Sequence, residues 1–457
     1  MTEVQIAGLR PALTDYLGDF RKFFPRLPTF GHVAVYCRGL LSDLARKSVE
    51  PIALAGGTAV RTLQEFLTHH AWDHGAMRDA IQRRIVREHL PAPGAKAIND
   101  VGVVGWVDET GVAKKGDKTP GVQRQWCGSR GKVDNCIVSV HLAVQHGDFM
   151  AMLDSELFLP ENSWDKDRDR CKEAHIPDSV VYRPKSEIAL EQIKRAIADG
   201  VRFDWLTFDE WYGSKPAFLA ELDRLGQLYV CEVPKNLLCF PSLPKYRSRQ
   251  RPFAPKRVDN AVIWGKPFLG KKWRKIKLAR KTLPPQAWQI KAAQAYLARD
   301  GSPTDRTYWL IVARNVETGE VKYFVSNAPP HTKLLTLLKV AFCRWGVEHA
   351  FRLAKSEIGF GHFEGRSWKG LLRHMILCQA VMLFVAEQTG RLRGEKPAAD
   401  DGADRPRPEH RLPALAAAPP QDLGARARRL GHPIPPGPKS GRQTLTAAVS
   451  SKGRVAL

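Results

Sequence analysis

Arg344, Glu348 and Lys355 lie within an apolar run that holds no proline from Lys333 to Met382, where leucines, valines, phenylalanines and alanines recur three and four apart. That spacing predicts a long helix or two. At about 100° per residue the three charges fall within roughly 40° of one another, so one carboxylate sits between two cations on a single stripe. Taken alone, such a stripe is a solvated row of ion pairs. Two aspartates change its weight. Asp108 follows the strand-like run Val101 to Val107 and opens Asp108-Glu109-Thr110-Gly111. Asp209 follows Trp205-Leu206-Thr207-Phe208 and opens Asp209-Glu210-Trp211-Tyr212-Gly213. A single aspartate at a strand end is most often a turn or N-cap residue. Two of them, joined by a glutamate from a helix, offer the hard oxygen ligands that hold two divalent cations about 4 Å apart for phosphodiester chemistry.

The pattern Asp108-x-Thr, then Asp209 with Tyr212-Gly213, then Arg344-x3-Glu348-x6-Lys355 resembles the DDE transposases of bacterial insertion sequences that share the Arg, Glu and Lys helix signature. It is most similar to the IS701-type family, through Asp108-Glu109-Thr110-Gly111 with Lys114-Lys115-Gly116, Gly128 with Gly131-Lys132, and Gly359 with Glu364-Gly365-Arg366-Ser367-Trp368. The likeness spans roughly residues 30 to 390. It departs from the broader signature at Ala341, where a tyrosine is usual, and at Glu109, where a second aspartate is common, which leaves Asp108 as the better ligand. The resemblance implies Asp108, Asp209 and Glu348 as catalytic metal ligands for two Mg²⁺ ions, with Mn²⁺ able to substitute. It implies Arg344 and Lys355 as phosphate clamps, since Arg binds two oxygens at once and Lys acts as a point charge. The partners it implies are double-stranded DNA, as transposon ends and as target, and a second copy of the chain in a DNA-bound homodimer. An RNase H-like endonuclease without transposition, or a transposase-derived DNA-binding regulator, is the alternative.

Composition agrees with such a partner. The chain has 457 residues, 43% of them hydrophobic, enough for a sizeable core and more than one domain. Its net charge of +24 favours a polyanion, nucleic acid first. The eight cysteines are scattered singly, with no Cys-x-x-Cys pair and no Cys-His cluster, which argues against a zinc finger and a disulfide framework and fits reduced thiols in a cytoplasm. No Gly-x4-Gly-Lys-Ser/Thr phosphate loop is present. No apolar run looks long enough to span a bilayer, and Met1-Thr2-Glu3-Val4 opens nothing like a signal peptide. A cytoplasmic protein without a membrane partner, associated with the bacterial nucleoid when DNA-bound, is expected.

The elements that must position these residues follow from the periodicity. Residues 1–95 read as a basic helical DNA-binding domain, closed by the linker Pro91-Ala92-Pro93-Gly94. Residues 96–233 read as the first part of an RNase H-like core, an α/β fold with a mixed sheet flanked by helices. Strands are expected at Val101 to Val107, Val122 to Cys127, Cys136 to Val144 and Met150 to Leu159, then a helix over Ser186 to Ala198 and a strand over Phe203 to Phe208. In the RNase H-like fold the first and fourth strands lie side by side, which would bring Asp108 to Asp209. Residues 234–330 read as a β-rich basic insertion with Lys245-Tyr246-Arg247-Ser248-Arg249-Gln250-Arg251, with Lys271, Lys272, Trp273 and Arg274, and with strands at Tyr308 to Arg314 and Val321 to Ser326. Cations interleaved with aromatics suit a strand that tracks phosphates and stacks on bases. Lys114 and Lys115 are further expected DNA contacts. Residues 331–389 complete the core with the Glu348 helix, and 390–457, rich in Pro, Ala and Arg, read as a disordered basic tail.

Overall fold

The computed structural model describes residue 5 and residues 8–92, 101–243, 254–278, 286–343 and 345–394; the side chains of Leu278 and of residues 345–350 lie outside that description. Arg344, part of the expected linker, Lys245 to Arg251, and the tail beyond residue 394 therefore fall outside the described residues.

Five helices come first: α1 (Leu9–Gly18), α2 (Leu27–Leu41), α3 (Val49–Ala55), α4 (Val60–Thr68) and α5 (His74–His89). Then follow β1 (Val103–Ala113), β2 (Gln123–Cys127), β3 (Lys132–His146), β4 (Phe149–Leu157), α6 (Arg168–Glu173), α7 (Lys185–Ala198), β5 (Trp205–Phe208), α8 (Glu210–Gly213), α9 (Pro216–Arg224) and β6 (Tyr229–Val233). The next stretch holds β7 (Leu238–Phe240), β8 (Lys256–Arg257), α10 (Val258–Trp264), β9 (Arg274–Leu278), β10 (Gln286–Arg299), β11 (Ser302–Pro303), β12 (Tyr308–Asn315) and β13 (Val321–Ser326). Helical segments end the described chain: α11 (Leu334–Cys343) and α12 (Trp345–Ser356), on either side of Arg344, and α13 (Trp368–Gly394).

The sheet is mixed. Its first half runs β4-β3-β1-β5-β6, antiparallel up to β1 and parallel from β1 to β6, the order expected of an RNase H-like core. Strands buried on both faces need apolar residues throughout, and Trp205-Leu206-Thr207-Phe208 is buried at every position. The β-rich segment does not fold as a sheet of its own. Its strand β13 pairs with β6, and β12 and β10 continue outward, so one hydrogen-bonded sheet runs from the core into the insertion. Pairing there leaves β6 without an exposed edge.

The N-terminal helices share an apolar core with the sheet and α13 rather than enclosing their own. Tyr16 donates to the Ala380 carbonyl at 2.8 Å, Gln82 to the Leu153 carbonyl at 2.9 Å, and Arg84 forms a two-bond pair with Glu387. The run expected to be helical from Lys333 to Met382 is helical over Leu334–Cys343, Trp345–Ser356 and from Trp368 onward, with Arg344 outside the described residues. The chain turns after Ser356, where Gly359 has φ 78°, and a Cβ there would sit 2.7 Å from that of Lys47. Helix α13 runs past Gly390, where the tail was expected to begin, and an 18-residue stretch of it, mostly buried, reaches a mean hydropathy of 1.4, long and apolar enough by length and composition alone to cross a membrane. It is the core helix of this fold: Leu377, Cys378, Ala380 and Val381 are wholly buried, and His374 and Gln379 are buried with them.

Candidate active site

Val107 and Phe208 face each other across the parallel pair β1/β5, so Asp108 and Asp209 are the next residues on neighbouring strands about 4.8 Å apart. Side chains alternate along a strand, which places Asp108 on the side of Val104 and Trp106, and Asp209 on the side of Trp205. Those residues belong to the apolar layer that also takes in Leu337, Leu338 and Phe351 of α11 and α12. Both aspartates therefore stand on the sheet face covered by the Glu348 helix. Asp108 does not end its strand, as the sequence had suggested, because β3 pairs with β1 as far as Ala113. Only β5 stops, at Phe208.

Asp209 leaves its strand as the N-cap of α8, with Oδ1 accepting from the amides of Trp211 at 3.0 Å and Tyr212 at 3.2 Å. Among the described residues no hydrogen bond is made to Oδ2. The cap thus occupies one oxygen of this carboxylate.

Glu109 points to the opposite face, where Lys185 pairs with it and the Tyr212 hydroxyl donates to Oε2 at 3.3 Å. Burial, then the negative charges of Glu109, Asp108 and Asp209, push the Tyr212 hydroxyl well above its usual range. Glu109→Gln is expected to leave cleavage within about tenfold of wild type while lowering stability by about 1 to 2 kcal/mol, the cost of a half-buried charged hydrogen bond. Cleavage rate and urea midpoint measured on one preparation check it. Loss of cleavage would promote Glu109 to a ligand.

Helix α12 packs on β1 and β4. Phe351 sets its ring edge-on to His141, 4.9 Å between centroids, and His141 is the residue opposite Asp108 on β3. One more turn along, Lys355 donates to the Gly111 carbonyl at 3.4 Å. Burial lowers the Lys355 ammonium, while Cys127 and the nearby Asp108 raise it. Position 348 is one turn before Phe351 and two before Lys355 on this helix, on the stripe that these contacts turn to the sheet. A surface ion-pair role does not suit Lys355, which is partly buried against β1.

His141 is the residue that sequence reasoning missed. It is 1% exposed, with Nε2 2.8 Å from Ser139 Oγ and Nδ1 2.7 Å from Ser155 Oγ. Gln379 donates to Ser155 Oγ at 2.7 Å, so the serine joins His141 to α13. Burial, then the charge of Lys355, lowers His141 to about 3. Burial likewise lowers His374 in α13 to about 4. Both sit below the unfolded value of about 6.5, so the unfolded chain takes up protons first. Their contribution is intact above about pH 6.5 and declines as pH falls toward the folded values, by about 1.4 kcal/mol per pH unit for each ring. The urea midpoint should drop between pH 7 and pH 5, and an unchanged midpoint would contradict neutral rings.

The other expected DNA contacts separate. Lys114 turns inward, donating to the carbonyls of Gly361 at 3.1 Å and Phe363 at 2.5 Å, and burial lowers it to about 8. It ties down the loop after α12, as Lys47 does through its amide on His362 Nδ1 at 3.0 Å. Lys115 is exposed. Trp273 lies between Lys291 and Arg314, 5.1 and 4.9 Å from its ring centre, and Lys271 donates to the Ala292 carbonyl at 2.8 Å. Lys272 and Arg274 are exposed. From β1 to β9 the sheet takes six steps, roughly 30 Å at strand spacing, so this basic cluster does not join the aspartates.

Among the described residues no three metal-ligating side chains come together, the Glu348 carboxylate being outside them. The donor set still suits a hard divalent cation. Asp108 and Asp209 offer carboxylate oxygens on one face, in a field negative enough to weigh on Tyr212.

A family described as DDE superfamily endonuclease matches residues 22–294, a span that includes both aspartates. A relative from Microchaete diplosiphon, described as a probable transposase for insertion sequence element IS701, is 26% identical over 360 residues, 76% of this chain and 80% of that protein.

Proposed function

Because this chain belongs to the DDE superfamily endonuclease family, we propose that it is the transposase of an insertion sequence, which binds the element's double-stranded ends, cleaves them and joins the 3′ ends to target DNA. The observation that carries this reading is the pairing of Val107 with Phe208, which sets Asp108 beside Asp209 under the helix that bears Glu348. These three residues would hold two Mg²⁺ or Mn²⁺ ions. Bound there, the ions would supply the charge that activates a water or a 3′-hydroxyl and stabilises the leaving oxygen.

The chain's own groups do the rest. Lys355, anchored on the Gly111 carbonyl, keeps a cation next to Asp108 for a substrate phosphate, and Arg344 adds a bidentate grip. Neutral His141 braces Phe351 and so fixes the height of α12 above β1 without adding charge to the site. Lys115, the cluster Lys271, Lys272, Trp273 and Arg274, and the N-terminal helices would contact DNA away from the chemistry, with two copies of the chain pairing two ends.

The test is a labelled duplex bearing the element's terminal repeat, incubated with a supercoiled target and Mg²⁺. Cut ends and joined products are expected, neither in Ca²⁺. Cutting without joining would favour an endonuclease, and binding without either a regulator.

A further inference from the structure

Two open clefts adjoin on the side of the molecule where α4, α6 and the start of α13 meet, and the catalytic chemistry uses neither. One, of about 630 Å³, is walled by α6, the turn after it and the Arg366-Ser367 step into α13. The other, of about 730 Å³, is walled by the α4–α5 connection and the segment around Lys22. His69 and Lys369 line both, so they form one trough. Arg366 and Ser367 of the run Glu364-Gly365-Arg366-Ser367-Trp368, which has no part in the aspartate site, line its wall.

The charges in the trough are unequally spent. Its acids all have partners: Asp73 caps α5 through the Ala76 amide at 2.9 Å, Glu173 pairs with Lys118 at 2.9 Å, and Asp178 meets Arg168 at 3.5 Å. Lys22, Arg366 and Lys369 are exposed and, among the described residues, make no ion pair. At the base lies Arg373, 3% exposed, whose hydrogen bonds all go to the carbonyls of Phe66, Leu67 and Trp72. Its charge is shared with carbonyl dipoles and the Trp72 ring, 4.4 Å away, and with no carboxylate paired to it among the described residues. The charge of Asp73 offsets part of that of Arg373, and the three exposed cations without ion pairs, Lys22 resting over the Phe23 ring, leave the channel positive.

We propose that this trough is a phosphate track that takes the backbone of duplex DNA outside the catalytic centre. The assignment rests on the reading that the substrate is DNA. Arg366 in the first cleft supplies the fork that suits a phosphate, and Lys369 at the junction and Lys22 in the second cleft supply point charges along the trough. No base-reading contact is involved, so the track serves any sequence.

The experiment compares wild type with the Lys22→Gln/Arg366→Gln/Lys369→Gln triple variant on a random-sequence duplex, by anisotropy over a range of salt. The slope of log affinity against log salt should become shallower by about 0.9 for each phosphate no longer neutralised, so by up to about 2.7. Arg366→Gln alone should reduce it by about 0.9, which keeps the test valid if the triple variant folds poorly. An unchanged slope in both variants overturns the track. So does a melting temperature raised by inorganic phosphate in wild type but not in the variants, with the DNA slope unchanged, since that is a pocket for a small anion. Cleavage and joining of end-bearing DNA are read separately. If the slope falls while joining is absent in wild type, the transposase reading fails and the track stands; if joining is normal and the slope is unchanged, the track alone fails.

Discussion

Asp108→Asn and Asp209→Asn should each slow DNA cleavage by on the order of 10³-fold or more, the several kcal/mol that a missing metal ligand removes from the transition state. Duplex binding and melting temperature should barely move. The choice of asparagine matters at position 209. Oδ1 of Asp209 accepts the amides of Trp211 and Tyr212, and asparagine caps a helix about as well, so the substitution isolates the ligand from the cap. Alanine would remove both and confuse the outcome. Single-turnover cleavage in Mg²⁺, with gel shift in Ca²⁺, measures the two properties. Wild-type cleavage by Asp209→Asn would reduce that residue to its structural role.

The largest effect on stability is expected away from the aspartates. Arg373→Met leaves the carbonyls of Leu67 and Trp72 buried without their donor, while that of Phe66 keeps Trp72 Nε1 at 3.0 Å; at about 1 to 3 kcal/mol for each lost donor, a loss of at least about 2 kcal/mol should appear in the urea midpoint. Arg373→Lys should not restore it, because one ammonium cannot span three acceptors arranged for a planar fork. A loss under about 0.5 kcal/mol would mean that water reaches those carbonyls.

Much of the core was legible in the sequence because strand and helix periodicities differ. The strands at Tyr308, Val321 and Trp205 and the helix from Lys185 lie within a residue or two of where the pattern places them. What local pattern could not carry is pairing. Nothing in Val101 to Ala113 says that β1 continues past Asp108, since that depends on β3 lying alongside it. Nor does a run of basic residues reveal which cations face inward. Lys114 reads as a DNA contact, yet it and Lys47 both hold the loop after α12, because a glycine-rich turn there presents carbonyls and a histidine that need donors. His141 had no signal at all: a lone histidine in an apolar strand becomes informative only when Asp108 and Phe351 are seen against it. The turn at Gly359 within the apolar run from Lys333 was hidden for the opposite reason, since leucine and alanine spacing is the same in one helix as in two.

Whether Asp108, Asp209 and Glu348 hold one metal centre can be read directly by iron mapping. Fe²⁺ replaces Mg²⁺ in the DNA complex, ascorbate and peroxide generate hydroxyl radicals at the bound ion, and the sites of backbone cleavage are sequenced. Cuts are expected in three separated stretches, near residues 108, 209 and 348, all suppressed by excess Mg²⁺ and all absent in Asp108→Asn. Cuts elsewhere, or near 108 and 209 with none near 348, would contradict a shared centre.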